Sequence, residues 1–228
     1  MHNTMNIKGF IFDMDGTLID NIAYHFAAFD EQARRHGYKF LRPVDSRYYG
    51  WNTFDIFPEI VDAETLARYG CDFLVNEKED IYRELYSGHV CLTDGLDALL
   101  DEAVRSGIKC AIGSAGPRIN VEFIMRETNL HDRIAACVCA DDVTHCKPDP
   151  EIFLKACERL NLAPADCVVF EDGIPGIEAA CAAGCAAVGI TTTLPANVLA
   201  DAGADIVVKD FTGMTLASLA EALKKRTK

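Results

Sequence analysis

Two aspartates that directly follow an apolar run are the residues of this sequence best suited to do chemistry. Asp13 and Asp15 come after the run 7–12 and before a glycine, a pattern typical of a buried strand that leads into a polar turn. Side chains alternate along an extended segment, so the two carboxylates can point the same way. Such a pair suits Mg²⁺, which takes oxygen ligands and usually binds one or two carboxylates together with a substrate phosphate. Considered alone, the pair also fits a helix cap or a solvated turn.

Polar residues also follow three other predicted strands. Ser114 precedes a predicted helix, where a hydroxyl and backbone N–H groups favour phosphate, although serine is also a common N-cap. Lys147 lies just before another helix, a place that the helix dipole makes unfavourable for a cation, so it is either a phosphate-binding ammonium or a solvated loop lysine. Glu171 and Asp172 end a strand and precede a glycine, which indicates a second acidic site at this sheet edge or a simple turn.

The hydrophobic pattern predicts helices and strands that alternate after residue 94, and the first strand, 7–12, must pair with these later strands. Short apolar strands alternating with helices require a parallel sheet covered on both faces. We therefore predict an α/β fold with a Rossmann-like parallel sheet. The predicted helices are 96–106, 117–129, 150–160, 174–183 and one ending at 225, and the predicted later strands are 108–113, 134–140, 167–171, 186–190 and 205–208.

The segment between the first strand and residue 91 has a helical pattern throughout most of its length. Helices are predicted over 21–37 and over 63–85 with a break near Gly70, whereas 38–59 is rich in aromatic residues and predicted to be irregular. We expect a core domain of residues 1–20 and 91–228 and an inserted all-helical domain of residues 21–90. Because ligands bind at the carboxyl ends of strands in such sheets, the insertion is expected to act as a cap.

Composition excludes several classes of partner. The formal net charge of −13 over 228 residues disfavours binding to nucleic acid or to an anionic membrane surface, because both require clustered lysine and arginine. The ten cysteines lie mostly in apolar runs and are expected to be reduced. The first residues resemble no signal peptide, and no apolar run is long enough to span a bilayer. A monomer in the cytoplasm is expected.

Taken in order, these motifs resemble those of the haloacid dehalogenase superfamily of phosphotransferases over nearly the whole chain. The matching residues are Asp13-Met14-Asp15-Gly16-Thr17-Leu18, Ser114, Lys147-Pro148 and Glu171-Asp172. The resemblance implies that Asp13 is the nucleophile and Asp15 the general acid/base. It also implies that Ser114 and Lys147 bind the transferring phosphoryl group, and that the Lys147–Pro148 bond is cis.

The same resemblance implies a Mg²⁺ site and a substrate site. Mg²⁺ would be bound by Asp13, by the backbone carbonyl of Asp15 and by Asp172, with Glu171 beside it. The residues implied to bind the substrate in the core domain are Thr17, Ser114, Ala115, Gly116 and Lys147.

Within the superfamily, the helical insertion resembles that of the beta-phosphoglucomutase-like sugar-phosphate phosphatases and mutases. His25 and Lys78 match substrate-linked positions of that subgroup, and Thr53 is a further candidate. His25 and Lys78 fit an interface histidine and a solvated lysine equally well. Where the mutase has an arginine for the distal phosphate, this chain has Trp51-Asn52-Thr53-Phe54, which argues against mutase activity.

These patterns predict a Mg²⁺-dependent phosphatase that acts on a small phosphorylated metabolite, of the sugar-phosphate class, through a phospho-Asp13 intermediate. The first alternative is a hexose-phosphate mutase. The second is a non-catalytic, phosphate-responsive module, against which Asp15 argues, because a domain that keeps its phosphoryl group needs no second carboxylate to activate water.

Overall fold

The computed structural model describes residues 7–48, 51 and 53–226. The chain divides into two compact units. The first consists of Met1–Asp20 with Cys91–Lys228, and the second is Asn21–Val90.

The first unit is built on a parallel six-stranded sheet with the strand order β3-β2-β1-β4-β5-β6, so the predicted fold class is confirmed. The strands are β1 (Gly9–Phe12), β2 (Lys109–Gly113), β3 (Ala136–Val138), β4 (Cys167–Glu171), β5 (Ala186–Ile190) and β6 (Ile206–Val208). The central strands β1 and β4 are buried at every position, as expected for a sheet with helices on both faces.

Because side chains alternate along β1, this strand contributes apolar side chains to the cores on both faces of the sheet. Phe10 and Phe12 pack against Phe170 with ring centroids 5.2 and 4.9 Å apart, whereas Ile11 belongs to a second core cluster that contains Phe153. The helices of this unit are α5 (Leu96–Arg105), α6 (Arg118–Glu127), α7 (Glu151–Leu160), α8 (Ile174–Ala183), α9 (Ala196–Asp201) and α10 (Leu216–Arg226).

The register of the sheet brings the predicted polar residues to one edge. Phe12 pairs with Ile112 of β2 and with Phe170 of β4. The residues that follow each strand therefore lie level with one another, and the Asp13 amide continues the ladder by donating to the Phe170 carbonyl at 2.9 Å.

The described part of the second unit contains four α-helices. They are α1 (Ile22–His36), α2 (Thr53–Ile60), α3 (Ala63–Tyr69) and α4 (Cys71–Tyr86). The predicted break at Gly70 is confirmed, and this glycine has φ +80°, a conformation that favours glycine. Phe29, Phe57 and Leu74 are fully or almost fully buried in the unit's core cluster.

The structure corrects several predicted boundaries. Residues 53–60 are helical, although the aromatic-rich sequence of 38–59 led us to predict an irregular segment. Three residues, 136–138, form the edge strand β3 in place of the predicted seven, and 9–12 replace 7–12 as the first strand. Helix α9 was not predicted because its sequence is short and follows Pro195.

All ten cysteines lie in the described part of the chain, and none forms a disulfide. Among the described helices, none combines the length and the apolar character needed to cross a membrane.

Candidate active site

A buried lysine joins the ends of β1 and β4. The Lys147 ammonium is 2.5 Å from Asp13 Oδ1 and 2.6 Å from Glu171 Oε1, and it lies 5.0 Å from the centroid of the Phe153 ring. The Lys147–Pro148 peptide bond is cis, as the resemblance implies. Lys147 is 9% exposed, so the alternative of a solvated loop lysine is wrong.

Glu171 is held on its other oxygen by the turn that precedes α8. Its Oε2 accepts hydrogen bonds from the backbone N–H groups of Asp172 and Gly173, both at 3.0 Å. A Cβ at Gly176 would overlap this carboxylate, so only glycine leaves room for it. The Glu171 side chain is therefore fixed between the ammonium and the start of a helix, where an anion is favourable.

Asp172 accepts hydrogen bonds from threonine hydroxyls on both of its oxygens. Thr17 donates to Oδ1 at 3.2 Å, and Thr193 donates to Oδ2. Gly16 has φ +81°, and a Cβ there would overlap the Asp172 carboxylate. The turn after β1 and the turn after β4 therefore pack directly against each other.

The carboxylate oxygens form a donor set that fits Mg²⁺. One oxygen from each of Asp13, Glu171 and Asp172 lies within 4.8 Å of the other two, and all three residues are buried. The three carboxylates exceed the one ammonium by two negative charges, which a divalent cation would balance. An all-oxygen set of this kind is the type that Mg²⁺ prefers.

The titration of these groups reflects the excess of negative charge. Burial is the largest effect on the pKa of Asp13 and raises it well above its usual value. Lys147 lowers this pKa, whereas the neighbouring Glu171 and Asp172 carboxylates raise it further. Burial and then Glu171 raise the pKa of Asp172 to about 7. Burial lowers the pKa of Lys147, but Asp13 and Glu171 outweigh it and keep the ammonium charged.

The loop between β2 and α6 carries the hydroxyl and amide groups predicted to bind phosphate. Ser114 is fully buried, and its Oγ accepts a hydrogen bond from Gly116 N at 3.0 Å. Helix α6 begins only at Arg118, so Ser114 is not its N-cap. A Cβ at Gly116 would lie 3.2 Å from Ser114 Oγ and 3.6 Å from Asp15 Oδ2, which places the Asp15 carboxylate beside this loop, which also contains Ala115.

Comparison with known proteins shows the family to which the chain belongs. Residues 7–184 match the haloacid dehalogenase-like hydrolase family. The chain belongs to this family. It is 33% identical over 203 residues to the validoxylamine A 7'-phosphate phosphatase of Streptomyces hygroscopicus subsp. limoneus, covering 89% of this chain and 93% of that protein.

A second relative of this haloacid dehalogenase-like hydrolase is the beta-phosphoglucomutase of Bacillus subtilis, which is 33% identical over 221 residues, or 94% of this chain and 95% of that one. The fold is shared with the crystal structure of beta-phosphoglucomutase from Clostridium difficile, with a TM-score of 0.80, 22% identity and coverage of 97% of this chain and 99% of that chain. The predicted family is confirmed.

The predicted residues of the second unit form a polar cluster of their own in this hydrolase, around the buried Lys78 and Glu79. The Lys78 ammonium is 2.7 Å from His25 Nδ1 and 2.9 Å from Glu79 Oε1, and Thr53 donates to the same Glu79 oxygen at 2.8 Å. Lys78 is 2% exposed, so it is not a solvated lysine. Asn52 lies outside the described residues, and the substrate-binding roles of His25, Thr53 and Lys78 stay predictions.

The sequence analysis missed Thr192 and Thr193, which follow β5. Thr192 donates to the Gly16 carbonyl and Thr193 to Asp172. The signal was present, because the run Thr191-Thr192-Thr193 directly follows an apolar strand of the sheet. Threonine is so common in turns that this run did not stand out as the paired carboxylates did.

The raised pKa of Asp172 predicts that the metal-free protein loses stability as the pH rises from about 4 to about 7. In this range the unfolded chain has already released the Asp172 proton while the folded protein still holds it, so stability falls with pH. Mg²⁺ should therefore raise the melting temperature more at pH 7.5 than at pH 5. Melting curves in EDTA and in Mg²⁺ measure this, and Asp172→Asn should remove most of the difference. An equal Mg²⁺ effect at both pH values would contradict the prediction.

Proposed function

We propose that this chain is a Mg²⁺-dependent phosphomonoester hydrolase that acts on a small sugar phosphate in the cytoplasm through a covalent phospho-Asp13 intermediate. The observation that carries the proposal is the Lys147 ammonium, which is buried between Asp13 and Glu171 at 2.5 and 2.6 Å. A buried cation that holds one oxygen of a carboxylate orients that carboxylate and lies ready to compensate charge on an incoming phosphoryl group.

In the first half of the reaction, an Asp13 carboxylate oxygen attacks phosphorus. A bond forms between Asp13 and phosphorus while the bond from phosphorus to the leaving oxygen breaks, and the leaving oxygen takes a proton from Asp15. Lys147, Ser114 and the backbone N–H groups of the loop that contains Ala115 and Gly116 bind the equatorial phosphoryl oxygens. Positioning and charge compensation are the main requirements of phosphoryl transfer.

In the second half, Asp15 is ionised and removes a proton from a water molecule. The water oxygen bonds to phosphorus, the bond from phosphorus to Asp13 breaks, and inorganic phosphate leaves with both aspartates restored. Asp15 is suited to this exchange because its half-buried carboxylate lies beside the Ser114 loop. When bound by Asp13, Glu171, Asp172 and the Asp15 carbonyl, Mg²⁺ would supply positive charge to the phosphoryl group.

The proposed substrate class follows from the relatives and from the second unit. Two relatives are named a phosphatase of validoxylamine A 7'-phosphate and a beta-phosphoglucomutase, and these names support a small phosphorylated metabolite of the sugar-phosphate class. We propose that residues 21–90 act as a cap domain that selects the substrate, with Thr17 of the first unit and with His25, Thr53 and Lys78 among the selecting residues.

A mutase is the competing function, because a Bacillus subtilis relative of equal identity is a beta-phosphoglucomutase. A mutase must retain a bisphosphate, and a second dianion needs a cation, for which the arginine fork is the best match. The Lys78 ammonium is already paired with Glu79, and Thr53 is neutral. This pairing favours hydrolysis.

Two assays test the proposal. In a panel of phosphorylated metabolites with Mg²⁺, we expect release of inorganic phosphate, with sugar phosphates among the best substrates. In a coupled assay with glucose 1-phosphate, with and without the 1,6-bisphosphate, we expect little glucose 6-phosphate. Efficient formation of glucose 6-phosphate with little free phosphate would replace the phosphatase by the mutase, and no turnover of any phosphomonoester would reject both.

A further inference from the structure

The loop that follows β5 contacts both the turn after β1 and the Asp172 carboxylate after β4. Its position is fixed by the Thr191 amide, which donates to the Val208 carbonyl of β6 at 2.9 Å. The next two hydroxyls reach different partners, since Thr192 donates to the Gly16 carbonyl and Thr193 donates to Asp172. One short loop therefore contacts the turn that carries Asp15 and also holds the Asp172 carboxylate, which follows the neighbouring strand β4.

The Thr193 hydrogen bond fixes the orientation of the Asp172 side chain. Thr17 donates to one carboxylate oxygen at 3.2 Å and Thr193 donates to the other, so rotation of the carboxylate would break both bonds. The space beside it is closed, because a Cβ at Gly16 would overlap the carboxylate and would lie 2.8 Å from Thr193 Oγ1.

These hydroxyls leave Asp172 able to bind a cation. An ionised carboxylate offers about four lone-pair sites on its two oxygens, and one hydrogen bond to each oxygen leaves sites on both. The threonines therefore orient a buried carboxylate without occupying all the sites at which it could bind a cation.

We propose that Thr193 is a positioning residue that sets the affinity of this chain for its divalent cation through Asp172. The inference rests on the proposed Mg²⁺ site and extends it to a residue outside the four motifs. Removing a partner that orients a metal ligand typically costs 10- to 100-fold in metal affinity. The expected effect is on metal affinity first and on turnover only at limiting metal.

Three variants separate this role from simple packing. Thr193→Val keeps the shape and removes the hydroxyl, Thr193→Ser keeps the hydroxyl, and Thr191→Val is the matched control. Thr191 is half-buried like Thr193, and its hydroxyl forms no hydrogen bond with another described residue. Dissociation constants for Mn²⁺ by electron paramagnetic resonance and for Mg²⁺ by calorimetry are measured without substrate, and melting curves in EDTA report the fold.

We expect the dissociation constant to rise about 10-fold or more in Thr193→Val and to change less than about 2-fold in Thr193→Ser and Thr191→Val. Unchanged metal affinity in folded Thr193→Val would overturn the inference and leave the proposed function intact. If Thr193→Val does not fold, Thr193→Ala takes its place, and the same comparison applies. A wild-type protein that binds neither cation would overturn both the inference and the proposed metal dependence, and a wild type that binds metal without phosphatase activity would reject the proposed function alone.

Discussion

Replacement of Asp13 by asparagine is expected to reduce turnover about 10⁴-fold or more while the protein still folds. The amide keeps the shape of the side chain but has no anionic oxygen to bond to phosphorus. The substitution also removes one of the three carboxylates that would hold Mg²⁺. Release of phosphate from an aryl phosphate in saturating Mg²⁺ measures the effect, and a labelled phospho-enzyme should be absent.

The Asp13→Asn variant should be at least as heat-stable as the wild type in EDTA. Asp13 is 7% exposed and lies close to two other buried carboxylates, so the substitution relieves repulsion between like charges. Its amide oxygen can still accept from Lys147. Asp132→Asn, at an exposed position of the same unit, should change neither turnover nor melting temperature. Activity of Asp13→Asn above about a tenth of wild type would contradict covalent catalysis by Asp13.

The edge of the sheet at which the acidic residues gather was predictable from sequence. Asp13, Ser114 and Glu171 each follow an apolar run, and parallel strands with helical connections bring their carboxyl ends to one side. The pattern does not give distances. Lys147 is 134 residues from Asp13 in the chain, and the fold brings their side chains to 2.5 Å.

The errors in the predicted elements have local physical causes. Pro58 disfavours a helix because it lacks an N–H donor, yet 53–60 is helical because Phe57 and Ile60 are buried on one side of it in the core of the second unit. The edge strand β3 pairs with β2 alone, and the chain forms a 3₁₀-helix at Ala140–Asp142, which ends the strand earlier than predicted.

The pairing of Lys78 with Glu79 could not be predicted from the sequence either. Adjacent residues of a helix point in different directions and are not usually neighbours on its surface. Here both side chains are buried, and their ammonium and carboxylate meet at 2.9 Å together with His25 and Thr53. Burial forces charged groups to find partners, and this constraint is visible only once the helices are packed.

Of the substitutions described above, replacement of Lys147 by methionine is expected to lower the free energy of unfolding most. It leaves Asp13 and Glu171 buried without the ammonium that holds them at 2.5 and 2.6 Å, and removal of one partner from a buried ion pair costs about 3–5 kcal/mol of unfolding free energy. Turnover should fall about 10³-fold, the cost of losing one strong donor to the transition state. Urea unfolding in EDTA and initial rates measure the two effects.

Mg²⁺ should restore part of the stability of Lys147→Met, because a divalent cation between Asp13, Glu171 and Asp172 compensates some of the charge that the ammonium balanced. Lys155→Met is the matched control, since Lys155 on α7 is paired with Glu151 at 2.5 Å but is 35% exposed in its side chain, and such surface pairs are worth at most about 1 kcal/mol.

Lys147→Arg keeps the charge and tests activity if the methionine variant does not fold. The longer, planar guanidinium cannot occupy the place of an ammonium between two close carboxylates, so turnover should still drop. Wild-type stability and wild-type turnover in Lys147→Met would show that the ion pair at the centre of the proposed site has no part in either folding or catalysis.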